Sequence, residues 1–311
     1  MKVLDQVQGN NYTLYQGDSC EVLAGIPENS IHYSVTSIPF ASLYTYSNSD
    51  RDLGNSRNYA EFAEHYSFLG KEWFRIMMPG RLVSIHCMNL PSMKERDGVI
   101  GLKDFRGDVI RWMQSCGFIF HSEVCIWKNP VTEMQRTKAL GLLHKQIKKD
   151  SAMSRMDIPD YIVTFRKPGE NPEPVEHTNE TYPVGHWQEV ASPVWEEYPS
   201  PVWWDINQSN TLQRKSARTD KDERHIAPLQ LQVIDRCIEL WSNPGDVVLD
   251  PFDGIGSVGY EAIKMGRRHV GVELKRSYFE QAALNLANAE NEANKEGQLT
   301  LEEAANSSEA V

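Results

Sequence analysis

The sequence predicts an α/β fold, a mainly parallel twisted sheet with flanking helices, and three observations carry the prediction. Two stretches near opposite ends of the chain alternate strand-like and helix-like segments, the pattern of βαβ units. Between them, Lys167 to Pro201 carries Pro168, Pro172, Pro174, Pro183, Pro193, Pro199 and Pro201, which interrupt any helical or strand period and mark a connector. The composition is globular, with 40% hydrophobic and 24% charged positions in 311 residues, enough for one large or two modest cores.

In the first stretch Ile31 to Thr36 reads as a strand and Tyr59 to Met77 as a helix. Pro79-Gly80 reads as a stop, and Arg81 to His86 as the next strand. Tyr161 to Phe165 reads as a further strand before the connector. In the second stretch Pro228 to Trp241 has helical spacing and Asn243-Pro244-Gly245-Asp246 is a turn. Val247-Val248-Leu249 is a short buried strand, followed by a Gly-rich loop, a helix over Val258 to Met265, a strand over His269 to Val272 and a helix from about Ser277. Residues Ala289 to Val311, rich in Glu, Asn, Ala and Ser, read as a helix end fraying into an acidic, disordered tail. The connector holds a near-duplicate, Ser192-Pro193-Val194-Trp195 and Ser200-Pro201-Val202-Trp203, too short for a repeat architecture but offering its tryptophans as surface anchors.

Several classes are excluded. No run approaches the ~18 apolar residues of a membrane span, and Met1 to Gln6 lacks the apolar stretch of a secretion signal, so a soluble cytoplasmic protein is expected. Five cysteines without a C-x-x-C pair predict reduced thiols, and no zinc ribbon or other metal site is encoded. With 32 basic and 43 acidic residues the net charge is -11, so any nucleic-acid role rests on a local basic patch.

The strongest chemical signal is Val247-Val248-Leu249-Asp250-Pro251-Phe252-Asp253-Gly254-Ile255-Gly256-Ser257-Val258-Gly259. An apolar strand ends in an acid, a Gly-x-Gly turn lets backbone approach a ligand, and a helix starts behind it. The next strand ends at Glu273, whose carboxylate is placed to accept hydrogen bonds from both hydroxyls of a ribose. The Asp-Pro-Phe-Asp lead is not that of nicotinamide enzymes, and a nucleoside without pyrophosphate fits better. A tight turn with no ligand is the structural alternative.

Asp250-Pro251-Phe252-Asp253-Gly254-Ile255-Gly256-Ser257 resembles the D-P-F-x-G-x-G-T cofactor motif of the amino-group DNA methyltransferases, with Ser257 for Thr and Asp253 for a small residue. Thr36-Ser37-Ile38-Pro39-Phe40 is similar to their catalytic S-P-P-F, with Ile38 in place of the first proline. Gln16 to Leu23 resembles their G-D-C segment, His225 to Gln230 their loop before the helix preceding the cofactor strand, and Asn243 to Asp246 their N-P-G-D turn. The match covers 12–90 and 223–290. Its order, catalytic motif first and cofactor motif last, is the permuted beta-class arrangement, and the whole chain resembles phage and prophage DNA methylases.

This resemblance implies a Rossmann-like methyltransferase fold with S-adenosyl-L-methionine as cofactor. It assigns cofactor contacts to Asp18, His225, Asp250, Phe252, Gly254, Gly256, Ser257 and Glu273. It makes 1–130 the catalytic half, 131–222 the target-recognition and connector region, 223–288 the cofactor half and 289–311 the tail. The implied reaction moves a methyl group to an exocyclic amine of a flipped-out DNA base, and the serine leans towards cytosine N4, with adenine N6 close behind. Such an amine is a poor nucleophile because its lone pair is delocalised. Ser37 Oγ and the Ile38 carbonyl would accept its hydrogens, Pro39 would fix the loop and Phe40 would stack on the base. Taken singly, Phe40 also reads as a core aromatic, Ser37 as a turn former and Asp18 as a helix N-cap.

Within the middle region Met134 to Met156 carries Arg136, Lys138, Lys145, Lys148, Lys149 and Arg155 against Asp150 alone, and Arg214, Lys215, Arg218, Lys221 and Arg224 form a second cluster. Each reads either as a solvated face or as a phosphate-contacting surface, and their place between the two motifs favours DNA. Two rival functions remain open: a methyltransferase of RNA or a small molecule, and an inactive DNA-binding relative made conceivable by Ile38. Beyond DNA, a homodimer and a restriction endonuclease partner are compatible with the resemblance.

Overall fold

The computed structural model describes residues 2–40, 56, 59–131, 158–176, 200–212 and 228–308, with side chains to Lys295 apart from that of Arg96. Among them runs a nine-stranded sheet in the order β1-β2-β11-β10-β3-β4-β8-β7-β9. Its strands are β1 (Asp5–Gln8), β2 (Tyr12–Gln16), β3 (Ile31–Ser37), β4 (Met77–Met88), β7 (Ile119–Ile126), β8 (Asp160–Arg166), β9 (Val202–Trp203), β10 (Val247–Asp250) and β11 (Arg268–Glu273), while β5 (Leu90–Ser92) and β6 (Gly101–Lys103) form a separate antiparallel hairpin. The run β2-β11-β10-β3-β4 is parallel throughout. Around β8 the pairing turns antiparallel.

Helices cover both faces. On one, α1 (Ser19–Leu23), α2 (Tyr59–Ile76) and α4 (Phe105–Ser115) bury Phe62, Tyr66, Leu69, Trp73 and Phe105 against Val83, Ile85 and Phe165; the short α3 (Lys94–Asp97) lies between β5 and β6. On the other, α5 (Leu231–Trp241) and α6 (Ser257–Lys264) bury Val233, Ile234, Cys237 and Val258 against Tyr33, Val35 and Val248. The last helix, α7 (Arg276–Ser308), packs Phe279, Ala282 and Leu286 on Tyr12 and Leu14. No helix among the described residues is long and apolar enough to cross a membrane.

The central pair β3–β10 joins the two ends of the chain, with Val248 opposite Tyr33 and Leu249 opposite Ser34. From β3 the chain crosses through α2 to β4 on one side, and from β10 through α6 to β11 on the other. The connections diverge there, so a crevice opens beyond the carboxyl ends of these two strands, where open α/β sheets bind ligands.

Two expectations are corrected. Pro79-Gly80 does not stop the chain before a strand but lies inside β4. Between Ile31 opposite Met77 and Tyr33 opposite Leu82 the register shifts, and Gly80, at φ +73°, donates to the Lys167 carbonyl, so the pair marks an irregularity in a continuing strand. Trp203 is no surface anchor. It is fully buried in β9, while its neighbour Trp204 is exposed; Trp195 lies outside the described residues. The strand read at Tyr161 to Phe165 is β8, which pairs antiparallel with Leu82 to Met88 of β4. The last helix, α7, runs to Ser308, and its stretch past Ala289 begins in contact with the fold: Ala289 is buried, Ala293 packs on the core and Glu290 accepts a hydrogen bond from the Asn11 amide at 2.5 Å.

Candidate active site

Both motifs predicted from sequence end at this crevice, and one hydrogen bond ties them. Thr36, fully buried at the end of β3, donates from Oγ1 to Asp250 Oδ1 at 2.5 Å, and the same oxygen accepts from the Phe252 amide at 2.9 Å. Asp250 is itself buried. Burial, and then the neighbouring Asp253 carboxylate, push the Asp250 carboxyl up to about 7, despite the hydrogen bonds from Thr36 and Phe252 that oppose the shift. The site therefore holds a buried carboxyl whose charged form the neighbouring carboxylate disfavours.

The loop after Asp250 is pinned on all sides. The Gly254 amide donates to Glu273 Oε2 at 2.9 Å and the Lys275 amide to Glu273 Oε1 at 2.7 Å, so the acid at the tip of β11 grips the loop. Gly256, at φ +81°, turns the chain into α6, and a Cβ there would come 3.3 Å from Ala282, so any side chain is both strained and crowded. Ser257, buried, then opens α6, whose first turn carries no side-chain cap. Phe252 is half-buried against the core.

Asp253, the departure from the family pattern, has a partner. Its Oδ1 lies 2.9 Å from His269 Nε2, both side chains being fully buried, and Gly259 and Gly271 leave room for the pair, since a Cβ at either would meet His269 or Asp253 within 2.9 Å. Asp18 sits beside this loop through its neighbour, because Ser19 Oγ donates to the Pro251 carbonyl at 2.5 Å. Its own Oδ1 caps α1, accepting from Cys20 at 2.9 Å and Glu21 at 3.3 Å. The capping role read from sequence is thus present.

On the β3 side, Ser37 Oγ lies 2.8 Å from His86 Nδ1 at the end of β4. Ile38 is 1% exposed and packs in the core, so apolar contact holds the segment where the family uses a proline ring. Pro39 is half-buried. Phe40 is 8% exposed, its ring 6.1 Å from His86 and 6.3 Å from Phe105, which makes it a core aromatic at the rim of the site rather than an open platform. His225 and the basic residues Arg136, Lys138, Lys145, Lys148, Lys149, Arg214, Lys215 and Arg218 lie outside the described residues.

The sequence reading missed Thr36, His86, Asp160 and Lys128. One signal was available: His86 ends the strand that follows the motif strand, and ligand-facing residues gather at such tips.

The chain matches the model of the DNA methylase family that covers N6 and N4 methylases over residues 31–284. It belongs to that family. The type II methyltransferase M.XycI of Xanthomonas campestris pv. cyanopsidis is 24% identical over 87% of this chain and 86% of that protein. The type II methyltransferase M1.MboII of Moraxella bovis is 34% identical, but the match takes in 25% of this chain and 30% of that protein. TTHA0409 of Thermus thermophilus, described as a DNA modification methylase and solved with S-adenosyl-L-methionine, superposes with TM-score 0.63 at 26% identity, over 89% of this chain and 93% of that one. The methylase thus has a motif-bearing crevice and a relative that matches nearly end to end.

Proposed function

We propose that this methylase transfers the methyl group of S-adenosyl-L-methionine to an exocyclic amine of a DNA base swung out of the duplex, with cytosine N4 the leading target and adenine N6 the second. The observation that carries the reading is the Thr36–Asp250 hydrogen bond, which holds the Ser37 motif and the Asp250 loop side by side at the divergence of the sheet. The cofactor fits the residues present: Asp250 is a buried carboxyl beside a second carboxylate, Asp253, and this cofactor is cationic. Asp250, Phe252, Gly254, Gly256, Ser257 and Glu273 would hold it, with Asp18 and His225 at its edges; bound there, it supplies an electrophilic methyl.

Ser37 Oγ and the Ile38 carbonyl would accept the amine hydrogens, drawing the nitrogen towards tetrahedral geometry, with Pro39 shaping the loop and Phe40 offering a ring edge to the base. Arg136, Lys138, Lys145, Lys148 and Lys149, with Arg214, Lys215 and Arg218, are assigned to DNA phosphates. The test is expression in a host without DNA methylases, followed by nucleoside mass spectrometry and long-read sequencing of its DNA. N4-methylcytosine at a defined sequence is expected. Methyl groups in RNA or a metabolite with none in DNA would overturn the reading.

A further inference from the structure

Ser37 belongs to a buried chain of polar groups that the transfer of a methyl group does not by itself require. Ser37 Oγ lies 2.8 Å from His86 Nδ1. Across the His86 ring, Nε2 lies 3.2 Å from Asp160 Oδ2, and Asp160 Oδ1 lies 2.6 Å from Lys128 Nζ, with the side chains of His86, Asp160 and Lys128 each under a tenth exposed. The four residues come from β3, β4, β8 and the segment after β7, so the sheet order β3-β4-β8-β7 sets them in line.

The direction of the hydrogens follows from chemistry. Burial would raise the Asp160 carboxyl, but Lys128 and His86 outweigh it and hold it down to about 2, so Asp160 is ionised and only accepts. A neutral His86 with its hydrogen on the Nε2 that faces this carboxylate leaves Nδ1 bare. A serine hydroxyl has one hydrogen, and Nδ1 is within reach to take it. Ser37 Oγ then faces the crevice as an acceptor.

From this geometry we infer that His86, backed by Asp160 and Lys128, is a positioning residue that fixes Ser37 as an acceptor and receives through it the proton the methylated amine must lose. The inference rests on the amine-methylation reading above. In the transfer, the nitrogen lone pair becomes the new N–C bond and the electrons of the broken S–C bond remain on sulfur, leaving a surplus proton on nitrogen. That proton moves to Ser37 Oγ as the serine proton moves to His86 Nδ1, and the N–H electron pair returns to nitrogen. The imidazolium so formed faces the Asp160 carboxylate, and release of one proton to water resets the chain. Relays of this kind contribute about 10²- to 10⁴-fold, and their hydrogen bonds are commonly out of line before substrate binds, as the His86–Asp160 contact is.

Two measurements test it. In the cofactor-free protein, ¹⁵N-histidine spectra assigned with His86→Gln should show hydrogen on Nε2 and none on Nδ1, and Asp160→Asn should weaken that preference; hydrogen on Nδ1 in the wild type overturns the inference. In single-turnover methylation of DNA, His86→Leu should fall about 100-fold or more, with cofactor affinity within about twofold, which also reports that the variant folds. His86→Gln keeps an acceptor for Ser37 but takes no proton, and should recover only part of the loss. Wild-type rates in His86→Leu, or full recovery in His86→Gln, would discard the relay while the methylase reading stands. No methylated base from the wild type would remove both.

Discussion

Asp250 couples sequence to chemistry most directly, because its environment sets a proton against a ligand. In the free protein its carboxyl is pushed up to about 7, above the ordinary 3.8 of the unfolded chain. The stability this contributes is full below the unfolded value and is lost as pH rises through about 7. A cationic ligand reverses the preference, so cofactor affinity should rise with pH through about 7, and binding at about pH 6 should release protons, seen calorimetrically in buffers of different ionisation enthalpy. Asp250→Asn keeps the oxygen that Thr36 and Phe252 bond but removes the charge. It should lower cofactor affinity roughly 10- to 100-fold and flatten that pH dependence. Phe40 makes a second test at this scale. Because its ring is buried, Phe40→Ala should cost about 3–5 kcal/mol in urea unfolding besides any loss of rate. Phe40→Leu, which keeps most of the volume, should unfold near the wild type yet still methylate slowly if the ring meets the base.

The elements that hold the site were legible in proportion to how local their determinants are. The strand–loop–helix from Val247 to Gly259 was plain because an apolar run, the acid at its end and the glycines Gly254, Gly256 and Gly259 sit within one short window. The four-residue β10 could be read only from the turn before it and the loop behind it. By contrast β8, β9 and the hairpin β1–β2 take their places from partners far along the chain, and nothing near Val202 announces a strand that pairs with β7. The meeting of His86 with Asp160 was not legible for the same reason: it depends on β4 pairing antiparallel with β8. At the other end of the sheet the Asn243–Asp246 turn is anchored by Arg81, which pairs with Asp246 and donates to the His32 carbonyl at 2.8 Å and the Glu173 carbonyl at 2.7 Å. Arg81 is 2% exposed. Arg81→Met should therefore destabilise by about 3–5 kcal/mol by stranding Asp246. Adding Asp246→Asn should restore part of that, and the protein that remains folded should bind cofactor normally, since the pair lies at the far ends of β4 and β10.

At the scale of the molecule, the permuted motif order and the sheet order agree, because the chain's two halves interleave in one sheet, β10 pairing with β3 and β11 with β2. What the whole molecule must still reconcile is a net charge of -11 with a polyanionic substrate. If Arg136, Lys138, Lys145, Lys148 and Lys149 neutralise phosphates, changing several to Gln should weaken binding to every DNA sequence. Each lost contact should lower the log–log salt slope by about 0.9, with cofactor affinity unchanged. The acidic end of α7 should act in the opposite sense. Truncation must spare Ala289, Glu290 and Ala293, which pack or hydrogen-bond in the fold, so the informative cut follows Lys295 and removes Glu296, Glu302, Glu303 and Glu309. Nonspecific DNA affinity should then rise by less than about tenfold at low salt, and the gain should vanish at high salt because these charges act through solvent. Binding titrations over a salt series decide among the sources. A neutralised Met134–Met156 cluster with unchanged affinity and slope would assign the phosphate contacts to Arg214–Arg224, and silence from both would turn the methylase away from duplex DNA towards a substrate that its charge does not repel.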